Sequence, residues 1–273
     1  MKVIKNLPNK TSPLDYISTS VIKSCPDVFA PLICRLANLS FNEGIFPSEF
    51  RIAQVTPLLK KPSLDASDPA NYRPISNLNT IGKVLERLFL RRVLPHTLST
   101  GNFNDFQSAY RSNHSTETAL LKILDDLYRI VVKKNTAAVL IGLDLSAAFD
   151  TVLHSTLLER LEQVFGVGGA ALSWLRSYLD GRTQYVQLGT TRGSVTQVSL
   201  GVPQGSVLGP FLFSAYTSPI AGVISSTGVS FHQYADDMQI YSALQSSNNA
   251  KGIRKLETCR TVIREWFARM QCF

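Results

Sequence analysis

Between Gly193 and Ala235 the sequence has no lysine, arginine, aspartate or glutamate. Gly, Pro, Ser and Gln break this run too often for a membrane-spanning helix, so it reads as protein interior, and no membrane association is expected. Cysteine is scarce: Cys25, Cys34, Cys259 and Cys272 show neither paired CxxC spacing nor disulfide density. That excludes a zinc ribbon and a cross-linked secreted scaffold. It fits reduced thiols in an intracellular protein of the nucleus or cytoplasm, with Cys25 and Cys34 expected in the core. The start MKVIKNLPNK lacks the apolar run of a signal peptide, so secretion is not expected. Neither low-complexity tracts nor repeats of solenoid period are present.

What is there suits a globular protein with a sizeable core, as one large or two coupled subdomains: 273 residues, 44% hydrophobic and 18% charged. The net charge of +8 points to a polyanionic partner, nucleic acid or anionic lipid. Apolar spacing predicts helices within residues 13–50 (with a break near Pro26), from about Ile81 to Val93, and after Ser115. Ser115 is placed as an N-cap with Glu117 in the first turn, and Leu120, Ile123, Leu124, Leu127 and Val131 are expected to form a buried face. FRIAQVTPLLKK (50–61) has the shorter period of a strand. TAAVLIGLDLS (136–146) is a continuous apolar run, expected to be a central strand buried on both faces. TQYVQLGTTRGSVTQVSL predicts a hairpin turning around Gly189 to Gly193, and FLFSAYTSPIAGVI a buried helix interrupted near Pro219. VSFHQYADDMQIYSAL predicts a second hairpin with Asp236 and Asp237 at its tip. KLETCRTVIREWFARM predicts an amphipathic helix that buries Leu256, Val262, Ile263, Trp266, Phe267 and Met270. The mixture favours an α+β fold with an antiparallel sheet.

Adjacent aspartates in an apolar strand need a reason. A turn is the ordinary one, and Asp144 by itself is an ordinary strand-end residue. Together they suggest more, because each ends or interrupts an apolar strand and a sheet can bring both to one edge. Carboxylates about 4 Å apart repel by roughly 1–4 kcal/mol near a protein surface. Hard divalent cations relieve that repulsion, and Mg²⁺ is the usual choice where phosphates complete the coordination. A pair of such ions suits phosphoryl transfer.

LDLSAAFD (143–150), GVPQGSVLGP (201–210) and YADD (234–237), in that order, resemble palm motifs A, B and C of a reverse transcriptase. NYRPISN (71–77) resembles a fingers motif. The wording over nearly the whole chain is similar to LINE-type, non-LTR retrotransposon enzymes, particularly the jockey-like group. The resemblance implies the fingers and palm of a right-hand polymerase, with an antiparallel palm sheet and the thumb missing. Residues 1–135 would form an N-terminal extension and fingers, and 136–273 a palm that stops before motif D. It implies RNA-directed DNA polymerisation: transfer of dNTPs to a DNA primer on an RNA template, using two Mg²⁺ ions, with Mn²⁺ as a substitute. Asp144 and Asp236 match the principal metal-binding aspartates and Asp237 the third acidic residue. Phe149 matches the aromatic that excludes a ribose 2′-hydroxyl. Ala147 and Ala148 match backbone positions beside the triphosphate, and Gln204 and Gly205 the loop bracing nucleotide and template base. Arg73 and Lys60 or Lys61 match the fingers cations.

Other polar residues take ordinary roles. Asp150 is expected to be the N-cap of the following helix, His154 and His232 to be structural, and Arg111 to touch template phosphate or serve helix entry. Two further readings stand beside the main one. A truncated, inactive nucleic-acid-binding remnant would bind RNA whether or not Asp144 is intact. An RNA-dependent RNA polymerase shares the palm, but its pattern has aspartate where Phe149 stands and Gly-Asp-Asp in motif C.

Overall fold

The computed structural model describes residues 2–145, 149–246 and 248–270. Ten helices among them run in the order α1 (Lys2–Lys5), α2 (Thr19–Ser24), α3 (Pro26–Glu43), α4 (Thr80–Ser99), α5 (Thr116–Val131), α6 (His154–Gln163), α7 (Gly169–Leu179), α8 (Gly209–Thr217), α9 (Ile220–Ser226) and α10 (Asn249–Arg269). The strands are β1 (Ile52–Leu59), β2 (Tyr72–Asn77), β3 (Thr136–Asp144), β4 (Arg182–Leu188), β5 (Thr191–Arg192), β6 (Thr196–Val198), β7 (Ser230–Tyr234) and β8 (Asp237–Gln245). Local signals set many boundaries. Pro26 opens α3 at a position with no helical N–H to lose, and Gly44 closes it at φ 67°. Asn79 caps α4 by accepting from Ile81 and Gly82 N–H, and Ser115 and Thr118 form a capping box on α5.

Two sheets result. In the larger, β2 pairs antiparallel with β1, β1 parallel with β4, and β4 antiparallel with β5 and β6. The smaller is antiparallel throughout, in the order β3-β8-β7. The larger sheet therefore takes strands from both sides of residue 135, and the expected division of the chain there is not where the sheets divide. One apolar core crosses the same boundary, with Phe46, Leu85, Trp174, Tyr178, Leu212, Phe213, Ile240 and Phe267 all buried. The charge-free segment supplies its centre, since every residue of α8 except Pro210 is buried. Among the described residues, no helix is long and apolar enough to cross a membrane.

Three expectations fail. β3 is an edge strand exposed at alternating positions, and β8 takes the centre; a continuous apolar run does not reveal which hairpin will pair with it. α5 buries only Ala119 and Ile123, while Leu120, Leu124 and Val131 are 58%, 59% and 48% exposed. Periodicity shows which residues share a helix face, not whether another element covers that face, and the small sheet meets α5 along a narrow line. Cys25 and Cys34 are exposed on α3 and just before it, whereas Cys259 is buried and Cys272 lies outside the described residues. α10 follows its expected pattern, with Leu256, Ile263, Phe267 and Met270 buried and Val262 and Trp266 half-buried.

Candidate active site

The β7–β8 hairpin turns through Ala235 and Asp236, with Tyr234 paired to Asp237. Ala235 has φ 58°, a left-handed conformation that an L-residue with a Cβ adopts only when its surroundings hold it there. Gln107 supplies that hold: its Oε1 accepts from Ala235 N–H at 2.9 Å and its Nε2 donates to Ala235 O at 3.0 Å. Gln233 Nε2 donates to the same carbonyl at 3.0 Å. Both glutamines are buried. Backbone bonds from Ser108 N–H to Gln233 O and from Gln233 N–H to Phe106 O fasten the 106–108 segment along β7. A neutral glutamine outside every motif carries no sequence signal for this role.

Asp144, the last residue of β3, pairs in register with Asp237, the first of β8. Residues directly opposite in an antiparallel pair project from the same face, with Cβ atoms roughly 5 Å apart. Both side chains are exposed, and Asp236 on the adjoining turn is half-buried. Partial burial together with the charges of Asp236 and Asp144 pushes the Asp237 carboxyl above the usual carboxylate range. The Tyr110 phenol is likewise raised, by burial and then by Asp236. Among the described residues, no lysine or arginine forms an ion pair with the three aspartates. Nor does any group of three or more His, Cys, Asp and Glu side chains form a ready-made metal cage there. Mutually repelling oxygen donors with no protein cation beside them suit a hard divalent ion that draws its remaining ligands from phosphate and water.

The 200–205 loop is fastened to the segment that follows β3. Gly201 N–H donates to Val152 O and Val202 N–H to Phe149 O, both at 2.8 Å. Gly201 has φ 80° and lies so close to Asp150 that a Cβ would sit 2.8 Å from its backbone. On its other side the loop meets β2: Ser76 N–H donates to Gln204 O at 2.8 Å, and a Cβ on Gly205 (φ 119°) would sit 2.6 Å from Ser76 O. Glycine is required there by both conformation and space. Beneath the loop, Oε2 of the buried Glu86 accepts from Val207 N–H at 2.7 Å and Leu208 N–H at 3.0 Å. It thereby satisfies free amides at the start of α8. Burial raises the Glu86 carboxyl, while these bonds and the charge of Arg182 oppose that rise.

The structure therefore joins Phe149, Gln204 and Gly205 into one braced unit. Phe149 is half-buried and stacks on Phe213 at 4.6 Å. Arg73 lies exposed on β2, across from Leu58 of β1. Lys60 and Lys61 are exposed just beyond β1, and Lys60 Nζ donates to Ala70 O at 2.9 Å. Ala147 and Ala148 lie outside the described residues. Asp150 is not the expected N-cap, because α6 starts only at His154 and its cap position, Leu153, makes no side-chain cap bond. Instead Asp150 Oδ2 accepts from Gln204 Nε2 at 2.8 Å. His154 bonds Gly201 O and His232 bonds Ser108 Oγ, both structural contacts. Arg111 ties down its own loop through the carbonyls of Asn104, Asp105 and Gln107. Beside Gly205 and Ser206 opens a groove of about 430 Å³, lined by the cations Lys10, Lys83 and Arg87.

The chain belongs to the reverse transcriptase (RNA-dependent DNA polymerase) family, whose model matches residues 59–272. It is similar to the RNA-directed DNA polymerase from mobile element jockey of Drosophila funebris, 31% identical over 87% of this chain and 26% of the relative. The jockey enzyme of Drosophila melanogaster is 30% identical over 89% of this chain and 27% of its own length. The probable RNA-directed DNA polymerase from transposon BS, also of Drosophila melanogaster, is 26% identical over 99% of this chain and 30% of its own. The chain thus spans between a quarter and a third of these relatives. Apo telomerase from Candida tropicalis shares the fold, with a TM-score of 0.53 at 12% identity over 77% of this chain and 41% of the telomerase.

Proposed function

We propose that this chain carries the nucleotidyl-transfer site of an RNA-directed DNA polymerase of the non-LTR retrotransposon kind, working inside the cell on an RNA template and a DNA primer. The observation that carries the reading is the register of β3 on β8, which sets Asp144 opposite Asp237 with Asp236 on the adjoining turn. Asp144 and Asp236 would hold divalent metal, Mg²⁺ by its preference for oxygen ligands and phosphate, with Asp237 in support. Metal held there would supply Lewis-acid chemistry to a primer 3′-hydroxyl and to the departing pyrophosphate. The remaining steps belong to the chain. Arg73, a planar guanidinium on an exposed strand, takes triphosphate oxygens, and Lys60 adds a second cation nearby. Phe149, held against Phe213, occupies the space of a ribose 2′-hydroxyl. Gln204 and Gly205 brace nucleotide and template base.

In this reading the larger sheet with β1 and β2 forms the fingers, and the smaller sheet the palm. The groove lined by Lys10, Lys83 and Arg87 next to Gly205 supports a template path, since cations spaced along a groove suit a phosphate backbone. Primer extension on an RNA template tests the proposal. Mg²⁺-dependent addition of dNTPs is expected, lost in Asp236→Asn, with ribonucleotides admitted by Phe149→Ala. An unmodified protein that preferred NTPs, or that extended no primer at low salt and high protein concentration, would overturn it.

A further inference from the structure

The Gln107 amide has one orientation open to it. Its Oε1 accepts from Ala109 N–H at 3.0 Å and from Ala235 N–H at 2.9 Å, and its Nε2 donates to Ala235 O at 3.0 Å. A flipped amide would set oxygen against a carbonyl and nitrogen against two N–H groups. One side chain thus pairs with both backbone polar atoms of Ala235, as a neighbouring strand would, at the point where β7 turns into β8. Gln107 is 1% exposed, so water does not compete for these bonds. Its own backbone is fixed as well. Gln107 N–H donates to Asn104 O at 3.1 Å, the residue bridges to Gln233 of β7, and Asn104 N–H donates at 3.3 Å to Oγ of Ser218, the C-cap of α8.

Ala235 immediately precedes Asp236, and its φ of 58° sets the direction in which the chain continues. An L-residue holds that conformation against its own preference. Released, Ala235 would relax toward negative φ, and Asp236 would move relative to Asp144. We propose that Gln107 is a positioning residue for divalent metal: by pairing with both backbone polar atoms of Ala235 it fixes where the Asp236 carboxylate stands relative to Asp144, and so sets metal affinity. The proposal rests on the polymerase reading given above. Gln233 is a lesser support, since its Nε2 donates to Ala235 O at 3.0 Å but leaves the N–H alone. The carbonyl therefore keeps one donor when either glutamine is lost, whereas Ala235 N–H depends on Gln107.

Two measurements test this. Residue-resolved hydrogen exchange on the metal-free protein should find the Ala235 amide protected; fast exchange there in the unmodified protein would overturn the clamp without any variant. Mn²⁺ binding in the presence of a dNTP, read by electron paramagnetic resonance on proteins with native circular dichroism, reports the consequence. Gln107→Leu fills much of the same space and makes no hydrogen bond. It should raise the Mn²⁺ Kd about tenfold, as loss of an outer support to a metal ligand does. Gln233→Leu should raise it less. Adding Ala235→Gly to Gln107→Leu should recover part of the loss, because glycine takes a positive φ without support; a packing defect would not be relieved by a smaller residue at 235. An unchanged Kd in Gln107→Leu, an equal loss in Gln233→Leu, or a double variant that binds no tighter than Gln107→Leu would overturn the assignment. If the unmodified protein bound no Mn²⁺, the metal-site reading would fall and this one with it. Specific binding with contrary variants would remove only the role of Gln107.

Discussion

Replacing Asp237 by asparagine should make the metal-free protein more stable. Asp237 stands opposite Asp144 in register and next to Asp236 in sequence, and its carboxyl is raised by partial burial and then by the charges of Asp236 and Asp144. Unit charges about 5 Å apart repel by roughly 1 kcal/mol in water and about 3 kcal/mol at the effective dielectric of a protein surface. The side chain is exposed, so solvent and salt keep the effect near the bottom of that range, roughly 0.5–1 kcal/mol. For a chain of this size that corresponds to about 1–4 °C in Tm. The assay is thermal unfolding in chelator at low ionic strength, at neutral pH and again in acid. The sign follows from the raised pKa. Folding favours the protonated carboxyl, so below the titration range the repulsion is gone and the two proteins should converge. As pH rises through the raised pKa, the wild-type protein loses stability relative to Asp237→Asn. Added Mg²⁺ should then stabilise the wild type more than the variant, because binding to the folded state adds stability by mass action. A variant no more stable than wild type in chelator at neutral pH, or a gap that ignores pH, would refute the electrostatic reasoning.

Glu86→Ala should destabilise the protein by about 2–4 kcal/mol in urea unfolding, since it strands the buried amides of Val207 and Leu208. Gly205→Ala should cost at least about 1 kcal/mol in the same assay, because φ 119° and the approach to Ser76 O both oppose a Cβ; it should also raise the KM for dNTPs by displacing Gln204. Leu124→Ser should change stability by no more than about 0.5 kcal/mol despite its place in an apolar helical pattern, because the side chain is 59% exposed.

Elements whose signals are local were legible in the sequence. The Ser115 cap, the Pro219 break between α8 and α9 and the two hairpins all follow from turn and cap chemistry acting over a few residues. The β7–β8 hairpin, with Asp236 in the turn, is of this kind. What depends on pairing across long sequence separations was not legible. Nothing local shows that β8 rather than β3 is central, that Asp237 rather than Asp236 faces Asp144, or that β4 joins β1 in parallel. The supports of the site were hidden for a related reason. Gln107, Glu86 and Asp150 act on residues 54 to 128 positions away, and each has an ordinary reading in its own neighbourhood. Asp150 precedes a helix and resembles a cap, yet α6 begins too late to use it.

We propose that Asp144, Asp236 and Asp237 together hold divalent metal. Paramagnetic titration with Mn²⁺ in the presence of a dNTP tests it most directly, with bound ion read by electron paramagnetic resonance. Specific binding by the unmodified protein that is lost in Asp144→Asn, and displaced by Mg²⁺, is the predicted result. Equal Mn²⁺ binding by the unmodified protein and Asp144→Asn, each correctly folded, would contradict it.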